Sequence, residues 1–160
     1  MIQLIRVDDR LLHGQVAYSW KAKLQYDAIV LVSDEASKDD LRKATLKMCC
    51  PPGVKLATRS VEEGANLLNN PKIKDKKVFV ICQDVNTLYR LLPHLKEKTT
   101  LNIGGSPKKE GRNEFAPAVY LNEDELAQLD ELVKAGYNVE VQQVPESKMQ
   151  LYKALRKGLL

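Results

Sequence analysis

Short β-branched apolar runs alternate with amphipathic stretches along the whole chain, and this alternation restricts the possible folds most. The runs are Ile2–Val7, Ala28–Val32, Lys55–Thr58, Val78–Ile81, Thr100–Ile103, Ala118–Leu121 and Val139–Val144. Several are continuously apolar, as strands covered on both faces are. Between them apolar residues return at helical spacing, behind capping residues. A first helix is expected from about Gly14 to Leu24. Ser37 opens S-K-D-D, and Leu41, Ala44, Thr45 and Met48 follow at i, i+3, i+4 and i+7, which predicts a core-facing helix. Ser60 and Glu63 have the form of a capping box ahead of Val61, Ala65 and Leu68. Leu88, Leu91, Leu92 and Leu95 repeat the stripe after Asp84. Asn122 with Glu125 starts another helix, which Gly136 closes. Ser147 with Gln150 predicts a last helix carrying Leu151, Leu155 and Leu159.

Strands that alternate with helices imply right-handed crossovers. The expected fold is therefore α/β: an open, mostly parallel twisted sheet of about seven strands with helices on both faces. Pro117 just ahead of the sixth run suits an edge strand, free to run antiparallel. No repeat, linker or low-complexity tract interrupts the 160 residues, so one domain over residues 1–160 is expected. A chain of this length buries enough surface to need no staple. Its three cysteines, Cys49, Cys50 and Cys82, have neither the number nor the spacing of a disulfide framework or zinc site. They read as small buried hydrophobes in a reducing compartment.

Several function classes fall away. No run of about 18 apolar residues is present to span a bilayer. The start, MIQLIRVDDR, lacks the basic region and apolar core of a signal peptide, so a cytoplasmic chain is expected. The net charge of +4 is mild and spread out. The basic run Lys72–Lys77 has no interleaved aromatic residues and reads as a solvated loop, so no nucleic-acid partner is expected. Neither G-x-G-x-x-G nor a Walker A pattern occurs, which argues against a nucleotide site.

In open α/β sheets ligands bind beyond the carboxyl ends of the strands. That directs attention to residues 8–14, 33–37, 59–60, 83–86 and 104–112. The first of these loops lies within V-D-D-R-L-L-H-G-Q-V, residues 7–16, which gathers two carboxylates, a guanidinium and an imidazole ahead of a helix. A helix start offers unpaired N–H groups and partial positive charge to an anion. Arg10 adds a planar donor fork matched to phosphoryl oxygens. His13 can take a phosphoryl group on a ring nitrogen. Asp8 or Asp9 can accept the proton of the other ring nitrogen, and Gly14 lets backbone approach closely. The same aspartates would also serve as helix caps, and Arg10 as a surface ion pair. His94, in L-P-H-L, has no charged neighbour and reads as structural.

At this loop the chain resembles a known family. I-R-V-D-D-R-L-L-H-G-Q-V is similar to the signature of the IIB components of the mannose/fructose/sorbose family of the phosphoenolpyruvate-dependent sugar phosphotransferase system (PTS). V-S-D-E-A, P-P-G-V-K, L-N-I-G-G and G-Y-N-V-E-V-Q-Q-V-P resemble further parts of that family, so the similarity covers nearly the whole chain. The resemblance implies a phosphocarrier. It would accept a phosphoryl group from a IIA component on Nδ1 of His13 and give it to a sugar held by membrane components IIC and IID. Arg10 falls on the family's phosphoryl-stabilising arginine and Asp8 on its flanking acid. Arg6, Asp9, Gly14 and Gln15 match the rest of the motif and are expected to serve phosphoryl or partner binding.

Arg10 and the helix start supply the positive field, so no metal or cofactor is expected. The carrier would work on the inner face of the membrane through IIC and IID. The loop 104–112 is basic, and Lys108, Lys109 and Arg112 are expected to face an acidic partner surface. Two alternatives are a cysteine carrier and a binding or regulatory module of the same fold that does not pass phosphate on. No cysteine follows the first strand, which argues against the former.

Overall fold

A computed structural model describes residues 1–156. The strands are β1 (Ile2–Asp8), β2 (Ala28–Val32), β3 (Lys55–Arg59), β4 (Val78–Cys82), β5 (Leu101–Gly105), β6 (Asn113–Ala116), β7 (Val119–Leu121), β8 (Val139–Val141) and β9 (Gln150–Leu151). The helices are α1 (Gly14–Leu24), α2 (Asp34–Ser37), α3 (Asp40–Met48), α4 (Val61–Leu68), α5 (Val85–Leu91), α6 (Glu123–Lys134) and α7 (Tyr152–Leu155). Seven strands form one sheet in the order β3-β2-β4-β1-β5-β8-β9, parallel except for β9, which runs antiparallel to β8. The expected α/β architecture is the one observed.

Each central strand feeds both layers of the core, because successive side chains point to opposite faces. Ile5 and Val7 of β1 pack with α4, α5 and α6 through Val61, Ala65, Val85, Leu88, Leu129 and Leu132. Leu4 of β1 packs on the other face with Ala17 and Trp20 of α1, Ala36 of α2 and Leu46 of α3.

Five expectations need correction. The run 118–121 is no edge of the main sheet. It ends as β7 of a two-stranded hairpin with β6, turned at Ala118 (φ 65°). A parallel bridge from Ser106 to Val119 and the bond from the Ser106 hydroxyl to the Tyr120 carbonyl tie the hairpin to the end of β5. The antiparallel edge is β9, where a helix beginning at Ser147 was expected. The Ser147 hydroxyl instead donates to the carbonyl of Val144, and the chain turns back to pair beside β8 before α7 starts. β8 is also shorter than the run 139–144. Leu159 lies outside the described residues.

The helix expected from Ser37 is two helices. Ser33 caps α2, and Asp39 caps α3 by accepting from the Arg42 N–H at 3.0 Å. The predicted core stripe of α3 faces outward: Leu41 and Met48 are 79% and 87% exposed, and Leu46 is buried instead.

Candidate functional site

The connections from β1 and β5 leave in opposite directions. After β1 the chain crosses through α1 to β2 on one side; after β5 it runs through the hairpin and α6 to β8 on the other. α1 and α6 cover opposite faces of the sheet. Adjacent parallel strands that part in this way leave a crevice at their carboxyl ends, the usual ligand position in such sheets. Arg6 and Asp8 of β1 and Asn102 and Gly104 of β5 stand at this crevice, on the face that Leu4 and α1 share.

The loop that leaves β1 is built locally. The Asp8 carbonyl accepts from the Leu11 N–H at 2.9 Å, closing a tight turn. The Asp8 carboxylate accepts from the Arg10 N–H at 3.0 Å, as aspartate does at turn starts. Leu11 takes a left-handed conformation (φ 60°), which is uncommon for a side chain of its size. Its side chain and that of Leu12 are buried in the α1-side core, which holds the turn down. His13 follows as an exposed N-cap in extended conformation, and its side chain makes no capping bond. Of the described helices with eight or more residues, α3, α4 and α6 each begin under a capping side chain: Asp39, Ser60 and Asn122. Only α1 does not, and its first turn holds no acidic residue. Its N–H groups and positive dipole end are free to meet an anion beside an imidazole.

One carboxylate organises the charges. Oδ1 of Asp8 accepts from Nε of Arg10 at 3.3 Å, and Oδ2 accepts from Nη2 of Arg10 at 3.3 Å. Oδ2 also accepts from Nη2 of Arg6 at 3.1 Å. Asp8 is 1% exposed, Arg6 0%, and the Arg10 side chain 41%. Nη1 of Arg6 donates to Oδ1 of Asn102 at 2.8 Å and to the Gln142 carbonyl at 3.2 Å. Its guanidinium lies against the backbone of Gly104, where a Cβ would come within 2.0 Å of Cζ. The Trp20 ring centroid stands 5.5 Å away, close enough for cation–π attraction. Burial pulls the Arg6 guanidinium below its ordinary value, and Asp8 works against that shift.

The sequence motif is thus brought together, with roles redistributed. Asp8 grips Arg10; the described hydrogen bonds of its carboxylate go to the two arginines and none to the imidazole. Arg6, expected to serve phosphoryl or partner binding, is fully buried beneath the loop. Asp9 is half-buried, and its carbonyl receives Nη2 of Arg42 from α3 at 3.5 Å. Gly14 opens α1 with empty space beside it, and Gln15 is exposed in the same turn.

In the loop 104–112, Lys108 and Lys109 are exposed. Arg112 is not available to a partner: it forks onto both oxygens of Glu125 at 3.0 and 2.9 Å and is only 11% exposed. His94 is exposed at the end of a 3-10 turn, and its carbonyl accepts from Asn69. Cys82 is fully buried, which pushes its thiol up.

Three contributors escaped the sequence reading. Asn102 is a polar residue inside the apolar strand Leu101–Gly105, and that interruption is the signal that could have exposed it. Gln142, just past β8, passes the network on to the carbonyls of Pro145 and Ser147 at 3.2 and 2.9 Å. Arg42 carries no local mark of its contact with Asp9.

An exposed imidazole at a bare helix start, three residues along the same loop from a guanidinium anchored by a buried carboxylate, can receive and hold a phosphoryl group. Among the described residues no cluster of three or more His, Cys, Asp or Glu side chains is placed to hold a metal ion. No described helix is long and apolar enough to cross a membrane.

Comparison with known proteins agrees with this chemistry. Residues 2–158 match the family described as PTS system sorbose subfamily IIB component. The sorbose-specific EIIB component of Lacticaseibacillus casei is 38% identical over 144 residues, covering 90% of this chain and 88% of that one. The mannose-specific EIIAB component of Escherichia coli K12 is 33% identical over 152 residues, which are 93% of this chain and 47% of the other. The crystal structure of the IIBSor domain of the sorbose permease from Klebsiella pneumoniae superposes with a TM-score of 0.92 at 28% identity, covering 97% of this chain and 95% of that one. The chain therefore belongs to the sorbose-subfamily IIB components of the PTS, and its part in sugar uptake is phosphotransfer.

Proposed function

We propose that this chain, working as one IIB unit over residues 1–160, carries a phosphoryl group on His13 from a IIA component to a sugar held by the membrane components IIC and IID. In the first step a lone pair on Nδ1 of His13 attacks phosphorus. A new P–N bond forms as the P–N bond to the donor histidine breaks. In the second, a sugar hydroxyl attacks, a P–O bond replaces the P–N bond to His13, and the hydroxyl proton passes to the freed imidazole and on to water. Such transfer depends on positioning and charge stabilisation. Arg10 and the first N–H groups of α1, from Gly14 and Gln15, hold the phosphoryl oxygens. Before the phosphoryl group arrives Asp8 holds Arg10, and Asp9 steadies the loop through its carbonyl bond to Arg42. This work takes place at the cytoplasmic face of the membrane, reached through IIC and IID.

The observation that carries this reading is the exposed N-cap position of His13 on α1, which alone among the described helices of eight or more residues starts without a capping side chain. The joined IIA and IIB designations of the Escherichia coli relative support a IIA donor.

The test is to incubate the protein with labelled phosphoenolpyruvate, enzyme I, the histidine phosphocarrier protein and a mannose-family IIA. Acid-labile label on His13, discharged to sugar by membranes bearing IIC and IID, is the expected result. His13→Ala should abolish labelling. Label taken up by that variant at the normal rate overturns the assignment. No label on the unaltered chain, with an active IIA, points to a binding module instead.

A further inference from the structure

The two arginines on Asp8 differ in their freedom to leave it. Arg10 reaches Asp8 from a side chain that is 41% exposed. Arg6 is 0% exposed and pinned by Asn102, the Gln142 carbonyl, the Gly104 backbone and the Trp20 ring. Arg6 Nε is also buried without a hydrogen-bond partner among the described residues, a cost the fold bears to keep the guanidinium in that slot. This expense is out of proportion to a surface role and calls for a function tied to Asp8.

We infer that Arg6 is a positioning residue, the standing counter-ion of Asp8, which lets Arg10 turn from Asp8 to the phosphoryl group and back. The inference rests on the phosphocarrier reading of His13 and Arg10. The electrostatic reasoning is direct. Asp8 is buried, and a buried carboxylate stripped of its only partner carries a large penalty. If Arg10 were its only cation, releasing that side chain toward phosphate would leave the Asp8 charge with nothing but the Arg10 N–H on Oδ1, and the side chain would stay. With Arg6 fixed on Oδ2, Asp8 remains paired whichever way Arg10 points. Sharing the carboxylate also divides its pull on Arg10. Gly104 belongs to the same device, because any side chain there would occupy the place of the Arg6 guanidinium.

The experiment follows arginine side-chain N–H resonances of the full chain by NMR before and after enzymatic phosphorylation, alongside transfer rates of four proteins. These are the unaltered chain, Arg6→Met, Asp8→Asn and the double variant. The Arg10 Nε–H signal should shift on phosphorylation while the Arg6 signals stay. Arg6→Met should slow transfer by about tenfold, the scale on which neighbouring charges couple. In the Asp8→Asn background the same change should cost little, because no carboxylate is left to neutralise. That rescue also separates positioning from a general loss of fold, which removing Arg6 would cause in either background.

Arg6 signals that move with those of Arg10 would make Arg6 a phosphoryl ligand and overturn the inference. Equal losses from Arg6→Met in both backgrounds would overturn it too. Failure of the unaltered chain to take label strikes the carrier reading and this one together. A labelled chain whose Arg10 signal does not move strikes only this one.

Discussion

Gly14 has no atom within 4 Å of where a Cβ would stand, and its backbone needs no left-handed conformation. Alanine therefore fits the fold, and its higher helix propensity adds at most about 1 kcal/mol to stability. The open space beside the first turn of α1 is where the proposed phosphoryl group sits, so the added methyl intrudes there. Gly14→Ala should melt no lower than the unaltered protein yet accept phosphate at least about tenfold more slowly, because small misplacements of reacting groups are costly. Stopped-flow or quenched labelling beside a thermal melt checks both halves. A variant of unchanged rate would show that the phosphoryl group does not use this space. At this scale the sequence is informative where the chemistry is local. The Asp8 turn, the Arg10 fork and the place of His13 before α1 depend on contacts within six residues, and V-D-D-R-L-L-H-G-Q-V displays them. The work of Arg6 depends on Asn102 and Gly104 from β5 and on Gln142 beyond β8. No spacing in the chain announces that register.

Helix α3 shows what periodicity leaves undecided. Leu41, Ala44, Thr45 and Met48 form a stripe of the kind that faces a core, yet they are exposed and Leu46 is the buried residue. The cause lies in the cap. Asp39 sets the start of α3 separately from α2, and Arg42 is drawn toward the carbonyl of Asp9. Those contacts orient the helix with Leu46 inward, among Leu11, Leu12 and Trp20. Leu46→Ala should therefore lower unfolding stability by about 2–5 kcal/mol, the range for large-to-small core changes. Leu41→Ser should stay within about 0.5 kcal/mol, as surface changes do. Urea titration of the two variants decides between the orientations, and the reverse ranking would put the stripe back in the core. The last helix failed for a related reason. Ser147 and Gln150 carry the residues of a capping box, but Ser147 turns the chain at Val144 and Gln150 pairs with Val141 in the sheet. The open edge of β8 gave that segment a partner that local propensity does not register.

For the whole molecule, the parallel order of the central strands was legible because each crossover helix separates two strongly apolar runs. The hairpin β6–β7 was not, since Asn113–Ala116 is only four residues long and its first two are polar and exposed. It projects from the carboxyl end of β5 and carries the loop 104–112 on the side where the candidate site lies. Arg112, locked onto Glu125, holds that loop to the start of α6 and leaves Lys108 and Lys109 exposed as its only free lysines. A carrier that must dock a donor and then release it gains more from steering charge than from a large buried interface, because rim charges chiefly set the association rate. Reversing both lysines to glutamate removes four charge units and takes the net charge from +4 to zero. Association with the IIA donor proposed above, which this reading requires to be acidic where it docks, should then slow by about tenfold at low ionic strength. The difference should fade as salt approaches 0.1 M and beyond, where screening acts over about 10 Å. The melting temperature should not change, because neither lysine packs against the core. Association rates measured across a salt series provide the test. Equal rates at low salt would place the donor on another face of the molecule, with the loop of His13 reached from the α3 side.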